Sequence, residues 1–108
     1  MYYDYVALVV KEKNTFNLQL SFWEKIFSLH GNLKVSLDQL EKTYEVQNPW
    51  SKGVLKGVRA PGTGIPFKIL LGTMRYKGGK DFTAIYKRKP VTVYEFKDYE
   101  FKRWIVTQ

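Results

Sequence analysis

Residues 67–107, FKILLGTMRYKGGKDFTAIYKRKPVTVYEFKDYEFKRWIVT, decide the fold class. Runs rich in β-branched, aliphatic and aromatic residues extend from Phe67 to Tyr76, Asp81 to Lys87, Val91 to Phe96 and Phe101 to Thr107. Lys77-Gly78-Gly79-Lys80, Lys89-Pro90 and Lys97-Asp98 interrupt them. Each interruption brings residues that tolerate positive φ or remove a ladder donor, so each reads as a turn. Four short strands joined by short turns predict an antiparallel meander.

Working back toward the start, Tyr3, Tyr5, Ala7 and Val9 alternate with Asp4, Val6, Leu8 and Val10. This composition suits a strand buried on much of both faces. Glu12-Lys13-Asn14-Thr15 reads as a hairpin turn, and Phe16, Leu18 and Leu20, spaced by Asn17 and Gln19, predict a second, one-sided strand. Ser21-Phe22-Trp23-Glu24 has the form of a capping box, in which the Ser hydroxyl takes the Glu amide and the carboxylate reaches back to the Ser amide. A helix over 22–30 follows, with Phe22, Trp23, Ile26, Phe27 and His30 on a core face and Glu24, Lys25 and Ser28 opposite; Gly31 ends it. His30 in the last turn reads as a structural residue that favours the negative end of the helix dipole. Leu33, Val35 and Leu37 make a short strand, Ser36 to Leu40 a capped turn, and Thr43 to Gln47 a further strand that Asn48-Pro49 terminates.

Residues 48–66 contain four Gly and three Pro and follow neither helical nor strand periodicity. The segment reads as a long loop, which in a compact domain is commonly functional. Its glycines would let backbone amides approach a phosphate or an anionic headgroup, with Lys52, Lys56 and Arg59 adding charge. The candidate anion-binding residues are therefore Lys52, Lys56, Arg59, Gly62 and Gly64. The segment is neither a dinucleotide fingerprint nor a Walker loop, because no helix follows Gly62-Thr63-Gly64-Ile65-Pro66. The competing reading, which we prefer, is structural: Pro61-Gly62 and Gly64 serve a tight turn and Trp50 and Ile65 pin it to the core, as Trp23 anchors the helix.

The 108 residues, 44% hydrophobic, suffice for one domain spanning 1–108 with its own core. The absence of cysteine excludes disulfide frameworks, zinc ribbons and thiol catalysis, and a single histidine leaves little for a zinc triad. We therefore expect no metal, no cofactor and no catalytic residue. Acid pairs are equally hard to assemble: Asp98 and Glu100 flank a turn, and Asp81 beside its hairpin reads as turn or surface chemistry. No apolar run approaches the ~18 residues of a membrane helix, and Lys11-Glu12-Lys13 breaks the first one, so the expected location is cytoplasmic.

Charge is unevenly distributed. Residues 1–48 carry five Lys and six acids, whereas 49–108 carry thirteen Lys and Arg and four acids, for a net +8 overall. Such a skew suits an anionic ligand or an acidic protein partner, although lysines also keep exposed strands soluble. Aromatic and basic residues interleave at Phe82, Tyr86, Lys87, Arg88, Tyr94, Phe96, Lys102, Arg103 and Trp104, as on a sheet that stacks nucleic-acid bases; alternation can equally turn those rings inward. Nothing in the chain excludes a homo-oligomer.

Pro49-Trp50, Gly57-Val58-Arg59-Ala60-Pro61-Gly62-Thr63-Gly64-Ile65-Pro66, Leu71-Gly72-Thr73 and Gly78-Gly79-Lys80-Asp81-Phe82 together resemble a family of small uncharacterised bacterial proteins, many from Gram-positive organisms. The strand order of that family is in turn similar to bacterial pleckstrin-homology-like domains. This resemblance implies a curved antiparallel sheet closing into a small barrel, with the helix at 22–30 in the place of the usual closing helix. It implies no activity and no catalytic residue. The expected fold is thus a β-rich α+β domain, a bent antiparallel sheet or partly open barrel with one main helix. The expected function is non-enzymatic binding or scaffolding through the basic half and the Gly-rich segment, the alternative being nucleic-acid binding on a basic aromatic sheet face.

Overall fold

The computed structural model describes residues 8–22, 24, 25, 31–51, 54–65 and 68–107. Leu8–Glu12 (β1), Thr15–Gln19 (β2) and Leu33–Ser36 (β3) form an antiparallel sheet in that order. Phe16 pairs with Val35 and Leu18 with Leu33, so the alternation along β2 sends Leu18, Leu33 and Val35 inward and leaves Gln19 and Lys34 exposed.

A single 3-10 turn, Leu37–Gln39, carries the chain to the second sheet. Ser36 caps it: its hydroxyl accepts the Asp38 amide at 3.4 Å, and its own amide donates to Gln39 Oε1 at 3.3 Å. The turn joins both sheets, because the Leu37 amide donates to Asn14 O at 2.7 Å and Gln39 O accepts the Lys97 amide at 2.8 Å. Leu40–Val46 (β4), Val58–Ile65 (β5), Ile69–Tyr76 (β6), Gly79–Tyr86 (β7), Val91–Phe96 (β8) and Arg103–Thr107 (β9) then form a six-stranded sheet in the order β4-β8-β9-β7-β6-β5.

This arrangement corrects the expected meander. The last strand does not add to the edge beside β8; it enters between β8 and β7, antiparallel to the first and parallel to the second. The reason lies in Arg103-Trp104-Ile105-Val106-Thr107, which is buried at all five positions. A strand apolar on both faces has no stable place at a sheet edge.

The six-stranded sheet consequently needs two covers. On one face Leu71, Phe82, Ala84, Phe96, Trp104 and Val106 share a core with Leu18, Leu20, Leu33 and Val35 of the smaller sheet and its exit. On the other, Leu70, Met74, Ile85, Val91, Val93 and Ile105 are covered by Trp50 and Leu55 from the segment between β4 and β5. The α+β fold expected from the sequence, with its bent single sheet or partly open pleckstrin-homology-like barrel and one main helix, is therefore corrected. Two sheets are present, β4 and β5 lie at opposite edges so the larger one does not close, and no main helix occurs among the described residues. No helix among them is long and apolar enough to cross a membrane.

Of the expected helix over 22–30, Phe22, Glu24 and Lys25 are described, in helical conformation; Trp23 and residues 26–30 lie outside the described residues. The capping box forms, with Ser21 Oγ accepting the Glu24 amide at 3.3 Å and Glu24 Oε1 accepting the Ser21 amide at 2.9 Å. The faces of Phe22 and Glu24 are the reverse of those expected: Phe22 is 66% exposed and Glu24 is 1% exposed. A buried carboxylate is tolerated there because its second oxygen accepts the Tyr86 hydroxyl. The same bond, together with burial, pushes the Tyr86 hydroxyl far above its ordinary range.

The Gly-rich stretch is likewise not a loop throughout. From Val58 to Ile65 it is the edge strand β5, where Pro61 sits within a register shift between Arg59 and Gly62, a place in a sheet that tolerates proline. Gly62 (φ 145°) faces Gly72 (φ 142°) across the ladder, and a Cβ at Gly62 would lie 2.2 Å from Leu71 O. The periodicity is hidden because small residues at this close approach carry no apolar signal. Gly62→Ala is expected to lower stability by well over about 1 kcal/mol, read as a reduced urea midpoint in ligand-free buffer; an unchanged midpoint would show that the two strands do not approach this closely.

Candidate functional site

The face covered by Trp50 and Leu55 changes character toward the β6–β7 hairpin. Alternation that places Ile85 and Ile105 in the core also places Asp81 and Arg103 on that face, and the two are register partners on the parallel ladder. Asp81 is fully buried. Its Oδ2 accepts Arg103 Nε at 3.0 Å and Nη2 at 2.6 Å, and its Oδ1 accepts the Tyr76 hydroxyl at 2.7 Å. Arg103 Nη2 also donates to Val54 O at 2.9 Å, which ties the covering segment to the sheet.

The network continues outward. Tyr44 on β4 lies against the Arg103 guanidinium and donates to Glu95 Oε2 at 2.7 Å. Lys42 Nζ stands 5.4 Å from the Tyr44 ring centroid and Lys56 Nζ 5.6 Å from that of Tyr76, both within cation–π range. Beside these groups is a pocket of about 250 Å³ lined by Lys56, Tyr76, Lys77, Gly78, Glu95, Lys102 and Arg103.

Electrostatics follow from burial. Burial alone would make Arg103 a weaker base, but the hydrogen bonds and charge of Asp81 outweigh it, so its pKa rises. Burial and the bond to Asp81 push the Tyr76 hydroxyl up to about 12, and burial with Glu95 raises Tyr44. The phenols thus remain hydrogen-bond donors. Both oxygens of Asp81 are engaged, which leaves it a structural carboxylate in place of the turn or surface group expected from the sequence. Glu100 stands 3.7 Å from Lys80 Nζ at the surface. Among the described residues no three His, Asp or Glu side chains gather as metal ligands.

Of the five candidate anion-binding residues, Lys56 alone lines this pocket among the described ones, and it is joined there by Lys102 and Arg103 of the basic and aromatic set. Lys52 and Trp23 lie outside the described residues. Arg59 and Gly64 belong to β5, their backbones facing Met74 and Leu70, and Gly62 is held against Gly72. Trp50 packs on the second core with Nε1 donating to Lys87 O at 2.5 Å, whereas Ile65, expected to pin the same segment, is 52% exposed at the end of the edge strand β5. Sequence reasoning missed Tyr44, Tyr76, Lys77, Glu95, Lys102 and Arg103 as a group. The available signal was a charged residue at an inward position of each of two otherwise apolar strands, Asp81 and Arg103.

The rings proposed to stack bases are placed elsewhere. Phe82, Phe96 and Trp104 are buried beneath the smaller sheet, where Phe96 and Trp104 meet edge-on at 4.8 Å and Tyr94 packs edge-on against Trp104 at 6.2 Å. No family model, characterised protein or solved structure matches the chain.

Two outcomes test this network. Asp81→Asn is expected to destabilise by about 3–5 kcal/mol by leaving Arg103 buried without its charge partner, and Asp81→Leu combined with Arg103→Met should cost much less than the two single changes together; urea unfolding of the four proteins measures this. The raised Tyr76 favours the neutral phenol in the folded state, so its stabilisation is present below pH 10.0 and is lost as pH rises toward about 12. Tyr76→Phe should therefore lose less stability than the parent across that interval.

Proposed function

We propose that this chain is a non-enzymatic binding module that takes an anionic group, of the size and charge of a phosphate, in the pocket beside Arg103. The observation that carries this reading is the lining itself: Lys56, Lys77, Lys102 and Arg103 surround it against one carboxylate, Glu95, which already accepts the Tyr44 hydroxyl. Ammonium and guanidinium donors bind anionic oxygen through charge-assisted hydrogen bonds, roughly twice as strong as neutral ones. The scaffold adds preorganisation, since the hydrogen bonds to Asp81 and Val54 O hold Arg103 before any ligand arrives. The reading keeps the basic second half of the sequence as the binding half and moves the site from the Gly-rich segment to the hairpin end of the sheet.

Titration of inorganic phosphate, followed by backbone amide shifts at low salt, tests it. Shifts confined to Lys77, Gly78, Lys102 and their neighbours are expected, weakening as salt rises. Combining Lys56→Ala, Lys77→Ala and Lys102→Ala should reduce the affinity at least about tenfold while the fold persists, because none of the three belongs to the buried network. Absence of shifts in the parent, or equal affinity in the triple variant, would overturn the assignment.

A further inference from the structure

At the opposite end of the same sheet, the turn after β5 and the turn after β7 lie side by side. The Lys68 amide donates to Ile65 O at 2.9 Å, and the Lys87 amide donates to Lys68 O at 2.7 Å. Trp50 Nε1 fixes the second turn through Lys87 O. Ile65 is 52% exposed, one of two large hydrophobic side chains in the described residues that stand out in this way, and Lys68, Lys87, Arg88 and Lys89 of the two turns are exposed. The contributing chain is free of opposing charge over long stretches: residues 46–80 contain no Asp or Glu, and neither do residues 82–94.

We propose that this tip docks on an anionic lipid surface, with Ile65 entering the headgroup–acyl boundary and Lys68, Lys87 and Lys89 meeting the headgroup phosphates. Cations alone would serve any polyanion. The exposed aliphatic side chain beside them selects the lipid surface, because it gains by leaving water for hydrocarbon and has no comparable gain against a phosphodiester backbone. Trp50 and Tyr86 at the tip are half-buried and tied by their polar atoms, Trp50 Nε1 to Lys87 O and the Tyr86 hydroxyl to Glu24. Each lysine near an anionic surface strengthens attachment modestly, so binding at this tip depends on several acting together and falls with salt. Because the tip and the Arg103 pocket lie at opposite ends of the strands, the two assignments succeed or fail separately.

Co-sedimentation with vesicles decides it, comparing phosphatidylcholine alone with phosphatidylcholine mixed with phosphatidylglycerol at low salt. The parent is expected to pellet with the mixed vesicles and to stay in solution with phosphatidylcholine. Combining Lys68→Ser, Lys87→Ser and Lys89→Ser should lower partitioning on the order of 100-fold, and Ile65→Asp should abolish it; the lysines sit on exposed turns and Ile65 is exposed at the end of the edge strand β5, and unchanged melting confirms their folds. Lys56→Ala, Lys77→Ala and Lys102→Ala together should pellet like the parent. A parent that ignores the mixed vesicles, or an Ile65→Asp protein that pellets undiminished, would overturn the proposal. So would a single-stranded oligonucleotide that binds the parent and is lost on the lysine changes while vesicles are not bound.

Discussion

The ion pair between Asp81 and Arg103 is the constraint on which the rest of the structure depends. It joins directly facing residues of β7 and β9, the parallel partners, at the point where β9 enters the sheet. A buried pair of this kind adds little net stability over an apolar pair, since desolvation offsets most of the attraction. Its effect is on register. Sliding β9 by one residue would bring Arg103 to the face of Phe82 and Trp104 and turn Ile105 the other way, leaving two charges buried without partners. Every other inward position of β9 is therefore set by where this guanidinium finds its carboxylate.

From that register the two faces take different roles. One is mainly apolar and receives the smaller sheet, whose Leu18, Leu33 and Val35 meet Phe82, Phe96 and Trp104. The other is apolar only from the middle of the strands to one end; at the hairpin end Arg103 and Tyr76 both donate to Asp81, and Tyr44 beside them donates to Glu95. The segment between β4 and β5 covers both parts, with Trp50 and Leu55 over the apolar one and Val54 O on Arg103. The sheet thus displays groups with very different surroundings at its two ends.

Local features were legible in the sequence because local chemistry produces them. Ser21 with Glu24 and Ser36 with Gln39 form capping boxes irrespective of what surrounds them, Asn48-Pro49 ends β4, and the Lys77-Gly78 turn closes the β6–β7 hairpin with Gly78 at φ 98°. The alternation of β2 likewise declared which side would be buried. The edge strand β5 was not legible, since Gly and Pro carry no periodicity and their meaning here is a close approach to a strand that the sequence does not identify.

By itself, then, the sequence determined that this is a β-rich chain with short strands, where most of its turns fall, and that its second half is strongly basic. Tertiary structure alone decided that β9 lies between β7 and β8, that Glu24 is buried and Phe22 exposed, and that Asp81 and Arg103, 22 residues apart, share one hydrogen-bonded network. The physical reason is that turns and caps are set by residues within a few positions of one another. The order of strands, and the burial of a charge, depend on partners that only the completed sheet brings within reach.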